Sequence, residues 1–380
     1  MKNLIPVYED EIEEAAKDRH RVAEIRNGIR QKFSEFFNAR GFKRHEPGSM
    51  IPEHDQSVLF TGSTISTFKP YLENGNIPEG GFYMIQSCLR TQNTKILGDD
   101  SRQPQWASYF SSIGALTHYK ELDRLSAQTW EFFTDYLGIP ADRLRIRISS
   151  KDIDLLQHWR QAGLEERLEL DANNPVYYTH KFGMDDVAGR NCNLAIVDHC
   201  SGNLRDIGNI IVIETKDAQI GTEIAFGVET IVSRLLGFSN PIAASLMADI
   251  VPVKNEHSLK LADAISSSVV ILDAGERPVV TNRGRTLRKY LQAISDLRHK
   301  ADVTIDDVTR YAAEFELREF GSQSGIPSKI AEYVAKFENL VAQGLSSEKI
   351  NEGVSDVFPP REDFTEPLAR TSISSQYEPF

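Results

Sequence analysis

Residues 81–114 place the strongest limits on how this chain can fold, because strand-like and loop-like sequence alternate there with an arginine at each edge of the loop. The first stretch is mostly apolar and ends at Arg90. Residues 93–104 mix Gly, Asp, Ser and Pro, which predicts a loop. Residues 106–113 return to the aromatic and aliphatic residues that are typical of strands. The segment therefore predicts two strands joined by a long loop that contains Arg102.

A strand–loop–strand of this kind can wrap a phosphate group. Arginine suits that role because its planar guanidinium donates two parallel hydrogen bonds to one anion. The alternative is an exposed hairpin whose arginines are merely solvated. Taken by itself the segment favours this alternative, and the rest of the chain reverses that preference.

Composition limits the classes of protein that need to be considered. The chain has 380 residues, 40% of them hydrophobic and 26% charged, which predicts a globular protein with two domains. No apolar run approaches the ~20 residues of a membrane span. The acidic N-terminal stretch lacks the features of a signal or transit peptide, and three cysteines make no disulfide framework, so we expect a cytoplasmic protein. The net charge of −12 weighs against a large nucleic-acid footprint without excluding a small one.

Two segments have a clear hydrophobic period. Residues 10–40 predict a helix with one apolar stripe that ends near Gly41. In residues 143–148, aliphatic residues alternate with arginines, which predicts a half-buried strand. The helix stripe consists of Val22, Ile25, Ile29, Phe33 and Phe36. Farther along the chain, Thr304 and Asp307 have the spacing of a capping box, which predicts the start of a helix.

Six short segments, which follow one another in a fixed order, carry a resemblance to a known family. They are IPEHDQSVLFTGSTISTFKPYL (51–72), QSCLR (86–90), WEFFTDYLGIPADRL (130–144), DIGNIIVIE (206–214), GVETI (227–231) and NRGRTLRKYL (282–291). Together they resemble the catalytic domain of alanyl-tRNA synthetases, which are class II aminoacyl-tRNA synthetases. Each match is short, but six in family order make a specific signal.

The resemblance implies an α+β fold in which an antiparallel sheet is flanked by helices and followed by a smaller helical domain. We therefore expect a catalytic domain at residues 1–250, a helical domain at residues 251–350 that resembles the family's tRNA-acceptor-recognition domain, and a flexible tail at residues 351–380. The family continues into editing and C-terminal domains that lie beyond this chain, so we expect a truncated, diverged relative.

The resemblance also implies a reaction in two steps. The carboxylate of an amino acid attacks the α-phosphate of ATP in the presence of Mg²⁺ and releases pyrophosphate, and the aminoacyl adenylate then passes its acyl group to an acceptor. Arg90 matches the family arginine that bridges the α-phosphate and the amino-acid carboxylate, and Arg102 matches the loop arginine that reaches the outer phosphates. Trp106 falls near the adenine region, where an indole could stack on the purine, although an aromatic residue in a strand is often a core residue.

Four further residues match positions near the amino acid. Asp206 and Asn209 match the glutamate and asparagine that lie near the metal and the substrate, and Asp206 is the candidate metal ligand. Because residues three apart do not share a face of a regular strand, a turn or bulge is needed between them. Glu223 stands where the family has the aspartate that pairs with the α-amino group. Tyr178 lies in a segment (174–178) that replaces the family's substrate-pocket motif.

Several departures from the family pattern bear on activity. Residues 223–237 resemble the third sequence motif of class II synthetases, whose arginine contacts the γ-phosphate. Thr230 replaces that arginine, and Arg234, one helical turn later, could substitute for it. The sequence QWASY (105–109) lacks the family's glutamate, and residues 183–196 retain little of the family's motif. Since the residues that shape an alanine pocket are altered most, alanine is the default substrate, while glycine, serine or a non-protein amino acid stay open.

Three functions remain open at this level. The chain could charge a tRNA, since Arg283, Arg285 and Arg288 form part of a basic stretch where the family touches the acceptor stem; the alternative for that stretch is a solvated helix face. It could instead pass the acyl group to a carrier protein or a small molecule, which the acidic charge and the altered pocket favour. It could also be an inactive synthetase-like binding or regulatory protein, which Thr230 favours.

Overall fold

The computed structural model describes residues 4–53, 55–172, 175–199 and 201–358. They divide into two compact units. The sheet unit contains the described residues up to 88 together with residues 110–244, and the helical unit contains residues 89–109 and the described residues from 245 onward. The predicted boundaries at residues 250 and 350 stay predictions, and most of the predicted tail lies outside the described residues.

The strands of the described residues form one mixed sheet in the order β1-β2-β3-β9-β8-β7-β4-β5, with β6 paired to β7. The pairs β3·β9, β9·β8, β8·β7 and β7·β4 are antiparallel, whereas β1·β2 and β4·β5 are parallel. The predicted α+β sheet is confirmed, with parallel pairs toward its edges. The strands are β1 Lys43–Arg44, β2 Phe82–Leu89, β3 Tyr109–His118, β4 Leu144–Ser149, β5 Leu168–Asp171, β6 Thr179–Lys181, β7 Ala188–Val197, β8 Leu204–Glu214 and β9 Gln219–Gly227.

Twelve α-helices accompany this sheet within the described ranges. They are α1 Glu9–Lys17, α2 Arg19–Ala39, α3 Ile65–Glu73, α4 Leu122–Glu131, α5 Ile153–Gln161, α6 Val228–Leu235, α7 Leu246–Ile250, α8 Glu256–Asp273, α9 Asn282–Lys300, α10 Ile305–Phe320, α11 Ile326–Ala342 and α12 Ser347–Gly353. The predicted helix at residues 10–40 is two helices, because Asp18 leaves the helical conformation and caps α2 by accepting a hydrogen bond from the His20 N–H. Gly41, with φ of +81°, lies just past the end of α2.

The main core lies on one face of the sheet. The apolar stripe of α2 is fully buried there, as predicted, together with residues of α4, α5 and α6 and the inward side chains of β4, β7, β8 and β9. In β4 the aliphatic residues face this core and Arg145 and Arg147 point to the other face, which confirms the predicted half-buried strand. Each fully buried aromatic or aliphatic side chain stabilises the fold by about 1.5–3 kcal/mol.

The opposite face of the sheet has an apolar end and a polar end. At one end α3 covers it with an apolar cluster that includes Phe68, Leu116 and Ile211. At the other end it carries polar side chains from β4, β7 and β8. The fold therefore leaves one polar surface beside a small apolar one on the same sheet.

The helical unit is organised around α8, whose residues are almost all buried and which packs against α9, α10 and α11. Two capping boxes define helix starts there. Asn255 and Ser258 cap α8, and the predicted Thr304–Asp307 box caps α10 with reciprocal hydrogen bonds. Across the described part of the chain, none of the helices combines the length and apolar character that a membrane crossing requires.

Candidate functional site

The register of the sheet brings polar residues from three strands side by side. Arg147 pairs with Asn193, and Asn193 pairs with Asn209 on the next strand. Cross-strand partners share a face of the sheet, so these side chains form one surface opposite the main core. Glu223 lies on the same face, because it pairs with Ile211, two residues beyond Asn209. This surface, here called the polar face, comprises Arg147, Asn191, Asn193, Asp206, Asn209 and Glu223.

A β-bulge places Asp206 and Asn209 on this common face. Leu194 pairs with Gly208 but Ala195 pairs with Asp206, so β8 contains one extra residue at this point. The bulge that the spacing of these two residues requires is therefore present. Asn193 contacts both of them: its Nδ2 donates to Asp206 Oδ2 at 2.9 Å, and its Oδ1 accepts from Asn209 Nδ2 at 2.7 Å.

Asp206 accepts hydrogen bonds from three side chains. Arg147 Nη1 lies 2.8 Å from Oδ1, while Asn193 and the Tyr177 hydroxyl both donate to Oδ2. Burial lowers the pKa of Arg147, but the hydrogen bond and charge of Asp206 outweigh this effect and leave the pKa above its usual value. Burial and the Asp206 carboxylate also raise the pKa of the Tyr177 hydroxyl. The side chain of Asp206 is thus firmly oriented by three donors.

The amides of the polar face form an oriented chain. Asn193 turns its Nδ2 toward Asp206, which leaves Asn193 Oδ1 to accept from both Asn191 and Asn209. The Oδ1 of Asn191 is buried, and no residue in the described ranges donates to it. An unpaired buried acceptor costs about 1–3 kcal/mol, so this atom is suited to a hydrogen-bond donor on a ligand.

Glu223 is a buried carboxylate, only 1% exposed, with Thr64 Oγ1 as a donor at 2.7 Å. Burial raises its pKa to about 8, although the Thr64 hydrogen bond opposes this shift. Glycine at position 114 permits the contact, because a Cβ there would stand 2.5 Å from Thr64 Oγ1. A cationic group beside Glu223 would restore its ionised form, which is the behaviour expected of a site for an ammonium group.

A second buried acid lies in the segment that precedes α3. Asp55 and Lys69 form a buried ion pair at 2.6 Å, and the hydroxyls of Ser57 and Ser66 also donate to Asp55. Burial alone would raise the pKa of Asp55, but Lys69 and Ser57 lower it overall. This network ties residues 55–69 together at the apolar end of the same sheet face.

The two tyrosines of residues 174–178 contact different acids. Tyr178, the predicted substrate residue, is buried and donates to Asp171 Oδ2 at 3.3 Å, and burial raises its pKa to about 12. Its exposed neighbour Tyr177 is the one that reaches Asp206. A role for Tyr178 at the substrate stays a prediction, and Asn174 lies outside the described residues.

The third motif lies at the end of β9 and the start of α6. Glu229 is buried and accepts from Arg30 at 3.2 Å and from the Ser111 N–H at 2.8 Å, so it has a structural role. Arg234 is also buried, and burial together with the nearby Arg205 lowers its pKa to about 10. In the part of the chain that the structure describes, Arg234 Nε has no hydrogen-bond partner. Its role as a stand-in for the missing arginine at Thr230 stays a prediction.

Arg90, Arg102 and Trp106 belong to the helical unit and are all exposed. Trp106 is 42% exposed, so the core interpretation of this residue is wrong and its ring is accessible to a ligand. The segment from Arg90 to Tyr109, here called the arginine loop, contains one short 3₁₀ turn at Gln92–Lys95. Its long exposed side chains are suited to binding an anion.

The basic residues predicted for the acceptor lie at the start of α9. Arg285 is exposed, whereas Arg283 and Arg288 are half-buried. Arg283 faces Glu276 at 3.6 Å, so part of its charge is already balanced. Arg285 is thus the most accessible of the three.

Sequence reasoning missed Arg147, Asn191 and Asn193. The latter two lie where the family motif is lost, so the resemblance offered no guide to them. A signal was present nonetheless: two asparagines separated by one residue inside an apolar strand lie on one face of it.

Comparisons with known proteins support the resemblance that the six segments carry. Residues 28–192 match the family model described as tRNA synthetases class II (A). The alanine–tRNA ligase of Carboxydothermus hydrogenoformans is 26% identical over 302 residues, which are 70% of this chain and 34% of that protein. The alanine–tRNA ligase of Desulforudis audaxviator is 31% identical over 137 residues, 36% of this chain and 15% of that protein. The chain thus spans about a third or less of the length of these curated relatives.

A solved structure of asparaginyl-tRNA synthetase from Entamoeba histolytica is also similar to this chain. It is 12% identical, the match covers 60% of this chain and 66% of that one, and the TM-score is 0.35. A score this low adds nothing to the sequence comparisons.

Proposed function

We propose that this chain, which carries a class II tRNA synthetase domain and is homologous to alanine–tRNA ligases, activates a small amino acid with ATP and transfers the aminoacyl group to an acceptor. The observation that carries the proposal is the polar face, where Glu223 and Asn209 lie on one sheet surface beside the firmly oriented Asp206. A buried carboxylate and oriented amides form a site for an α-amino acid. Alanine is the default substrate.

In this reaction the side chains of the protein stabilise charge and position the substrates, and they form no covalent bond with them. The substrate carboxylate attacks the α-phosphorus, the bond to pyrophosphate breaks, and the adenylate then yields its acyl group to the acceptor. In this proposal Arg90 and Arg102 stabilise the phosphate charge, and Trp106 stacks on adenine. Glu223 pairs with the α-ammonium, which draws its pKa back down and keeps the carboxylate ionised at neutral pH.

Magnesium is proposed to arrive with ATP. Asp206 alone is a weak ligand set, because both of its oxygens already accept hydrogen bonds. Among the residues that the structure describes, no group of three His, Cys, Asp or Glu side chains could hold a metal. Mg²⁺ is usually held by one or two carboxylates and the phosphates of the nucleotide, where it neutralises phosphate charge, so Asp206 and Asn209 are the candidates to assist it.

A tRNA acceptor stem is the acceptor we favour, because the relatives are alanine–tRNA ligases and Arg285 is exposed at the start of α9. A carrier protein or a small molecule is the second candidate. The net charge of −12 and the polar face, where asparagines replace the family's motif, support this alternative. We place the reaction in the cytoplasm, in accord with the free thiol of Cys192.

The test is amino-acid-dependent ATP–pyrophosphate exchange with Mg²⁺, measured across the protein amino acids. We expect exchange with one small amino acid. Arg90→Ala should reduce that exchange at least about 100-fold, because it removes a donor to the charge that develops on the phosphate. Arg318→Ala is the matched control, since Arg318 pairs with Glu314 on α10, and it should retain the full rate.

The outcome that contradicts the proposal is an Arg90→Ala variant with undiminished exchange, or a wild-type protein that neither exchanges pyrophosphate nor binds ATP in a titration. The acceptor is tested separately by gel shift with tRNA over a series of salt concentrations. Binding through phosphate contacts weakens steeply with salt. Absence of binding at low salt would favour the carrier-protein or small-molecule acceptor.

A further inference from the structure

We propose that Asp263 of α8 is a positioning residue for ATP, because it holds both ends of the arginine loop and so sets where Arg90 and Arg102 stand. This inference rests on the proposed function. It concerns contacts inside the helical unit alone, and it assigns to α8 a part in amino-acid activation in addition to any part in recognising the acceptor.

Asp263 joins two points of the loop that are 15 residues apart in the numbering of the chain. It is 2% exposed and accepts from the Ser108 N–H at 2.7 Å, the Ser108 hydroxyl at 2.6 Å and Asn93 Nδ2 at 2.9 Å. The Tyr290 hydroxyl donates in turn to Ser108 Oγ at 2.9 Å. One buried carboxylate therefore receives donors from the beginning and the end of the loop.

The same contacts close the loop on itself. Asn93 Nδ2 also donates to the Trp106 carbonyl at 2.8 Å, and the Arg90 N–H donates to the Ser108 carbonyl at 2.8 Å. The backbone of Arg90 and that of Trp106 are each one hydrogen bond away from a residue bound to Asp263. A change at Asp263 is thus transmitted directly to the residues proposed to bind ATP.

Further residues of α8 hold the middle of the loop. Lys260 is buried and its Nζ donates to the Asp99 carbonyl at 2.6 Å, while Glu256 accepts from Gln103. Glu256, Lys260 and Asp263 recur at four and three residues, so one stripe of α8 contacts the loop along its length. Arg102 lies between Asp99 and Gln103, and its own N–H donates to the Asp99 carbonyl at 3.4 Å.

The contacts of Asp263 are better explained by a role in positioning the arginine loop than by a contribution to the stability of the fold. A buried carboxylate is costly, and burial does raise the pKa of Asp263 although Ser108 and Asn93 oppose this. An apolar residue would pack at this place on α8 without that cost, but it could not bind loop donors at two points. Arginine side chains are long and flexible, so their effectiveness toward a phosphate depends on where the backbone places them.

The test compares Asp263→Asn with Glu316→Gln. The two carboxylates are matched, because Glu316 is also 2% exposed, lies in the helical unit, and accepts from the N–H and the hydroxyl of one serine, Ser324. Pyrophosphate exchange is measured over a range of ATP and then of amino-acid concentrations, and amide hydrogen exchange is followed in residues 92–107. Both readouts use the full chain.

We expect Asp263→Asn to raise the KM for ATP about tenfold or more, since it replaces an acceptor of charge-assisted hydrogen bonds by an amide. The KM for the amino acid should rise clearly less, by no more than about threefold, because Arg102 and Trp106 are matched to ATP alone and only Arg90 is matched to both substrates. Hydrogen exchange in residues 92–107 should accelerate. Glu316→Gln should leave both KM values and the loop unchanged.

Ser108→Ala provides a second route if Asp263→Asn does not fold. It removes the hydroxyl that joins Asp263 and Tyr290, keeps the Ser108 N–H contact, and should give a smaller change of the same kind. Equal rises in both KM values, or faster loop exchange with an unchanged KM for ATP, would overturn the positioning role and leave the proposed function intact. A wild-type protein that neither exchanges pyrophosphate nor binds ATP would overturn both.

Discussion

The polar face and the arginine loop are ordered in opposite ways. On the polar face the side chains themselves are held, since Asp206 receives three donors and Asn193 is bonded at both ends of its amide. In the arginine loop the backbone is held by Asp263, and Arg90 and Arg102 are exposed. On the polar face the side chains have fixed positions, whereas in the arginine loop the backbone that carries the side chains is fixed.

This difference fits the two kinds of ligand in the proposed function. A small amino acid offers few atoms, so the groups that select it must be oriented before it binds. A triphosphate is long, flexible and highly charged, so arginines that can adjust around it suffice if their backbone is set. We therefore expect changes on the polar face to alter both stability and activity, and changes at exposed loop side chains to alter activity alone.

The largest expected effect on the free energy of unfolding is at Glu223, through its dependence on pH. Its folded pKa is raised to about 8 from an ordinary value of 4.5, so the folded protein keeps this proton while the unfolded chain loses it. Wild-type stability should therefore fall as the pH rises through that range. Glu223→Gln removes this fall, so its stability relative to wild type should rise by roughly 3–5 kcal/mol between pH 5 and pH 8.5.

Urea unfolding of the two proteins at both pH values measures this difference directly. The variant should also bind the amino acid less tightly, because an amide cannot balance an ammonium. Identical pH dependence in the two proteins would show that Glu223 has an ordinary pKa, and the polar face would then lack its buried carboxylic acid.

A smaller effect is expected at Asp206. Asp206→Ala leaves Arg147, Asn193 and Tyr177 without their common acceptor and should reduce the free energy of unfolding by about 2–3 kcal/mol. Exchange of pyrophosphate should fall at least about 100-fold, because the amides that position the substrate lose their orientation. Asp152→Ala is the control, since Asp152 binds Arg190 and caps α5.

The Asp152→Ala control separates the effect on stability from the effect on pyrophosphate exchange. It should lose comparable stability by urea unfolding while it keeps pyrophosphate exchange. If both variants lose exchange in proportion to stability, Asp206 only supports the fold, and the polar face is not a substrate surface.

The smallest effect on stability is expected at Trp106. Because its ring is exposed, Trp106→Ala should change the free energy of unfolding by less than about 0.5 kcal/mol. Its KM for ATP should rise about fivefold or more, since a stacked base is worth roughly 1–3 kcal/mol. Trp106→Phe should recover most of the affinity. If Trp106→Ala instead lost stability and kept its KM for ATP, Trp106 would have a structural role, and the expected difference between the polar face and the arginine loop would be wrong.

Local signals in the sequence predicted local structure well. The apolar stripe of α2, the half-buried strand β4 and the Thr304–Asp307 capping box are all present. Each depends on residues that lie within a few positions of one another, and their side chains carry the period or the hydrogen bond themselves. The break between α1 and α2 at Asp18 was missed because the predicted stripe begins only at Val22 and gives no information on the residues before it.

The candidate site was predicted in part. Asp206, Asn209 and Glu223 do lie on one sheet face, and the bulge that Asp206 and Asn209 require is present. Asn193, which joins Asp206 to Asn209, was not predicted, since the resemblance is lost at this point. Of the two adjacent tyrosines, sequence reasoning chose Tyr178, whereas Tyr177 contacts Asp206. Adjacent residues differ in direction, and only the packed chain decides between them.

The sequence by itself determined the ordered motifs that resemble alanyl-tRNA synthetases, the helices and strands that carry their own period, and the residue types available for binding charge. The tertiary structure decided which of those residues meet. A shift of one residue in the pairing of β7 and β8 would turn their polar side chains to the other face, and that register depends on the whole core. Likewise, Asp263 and Ser108 are separated by 155 residues, and no local pattern relates them. Contacts of this kind follow from packing, because the chain must be folded before a buried carboxylate can find its donors.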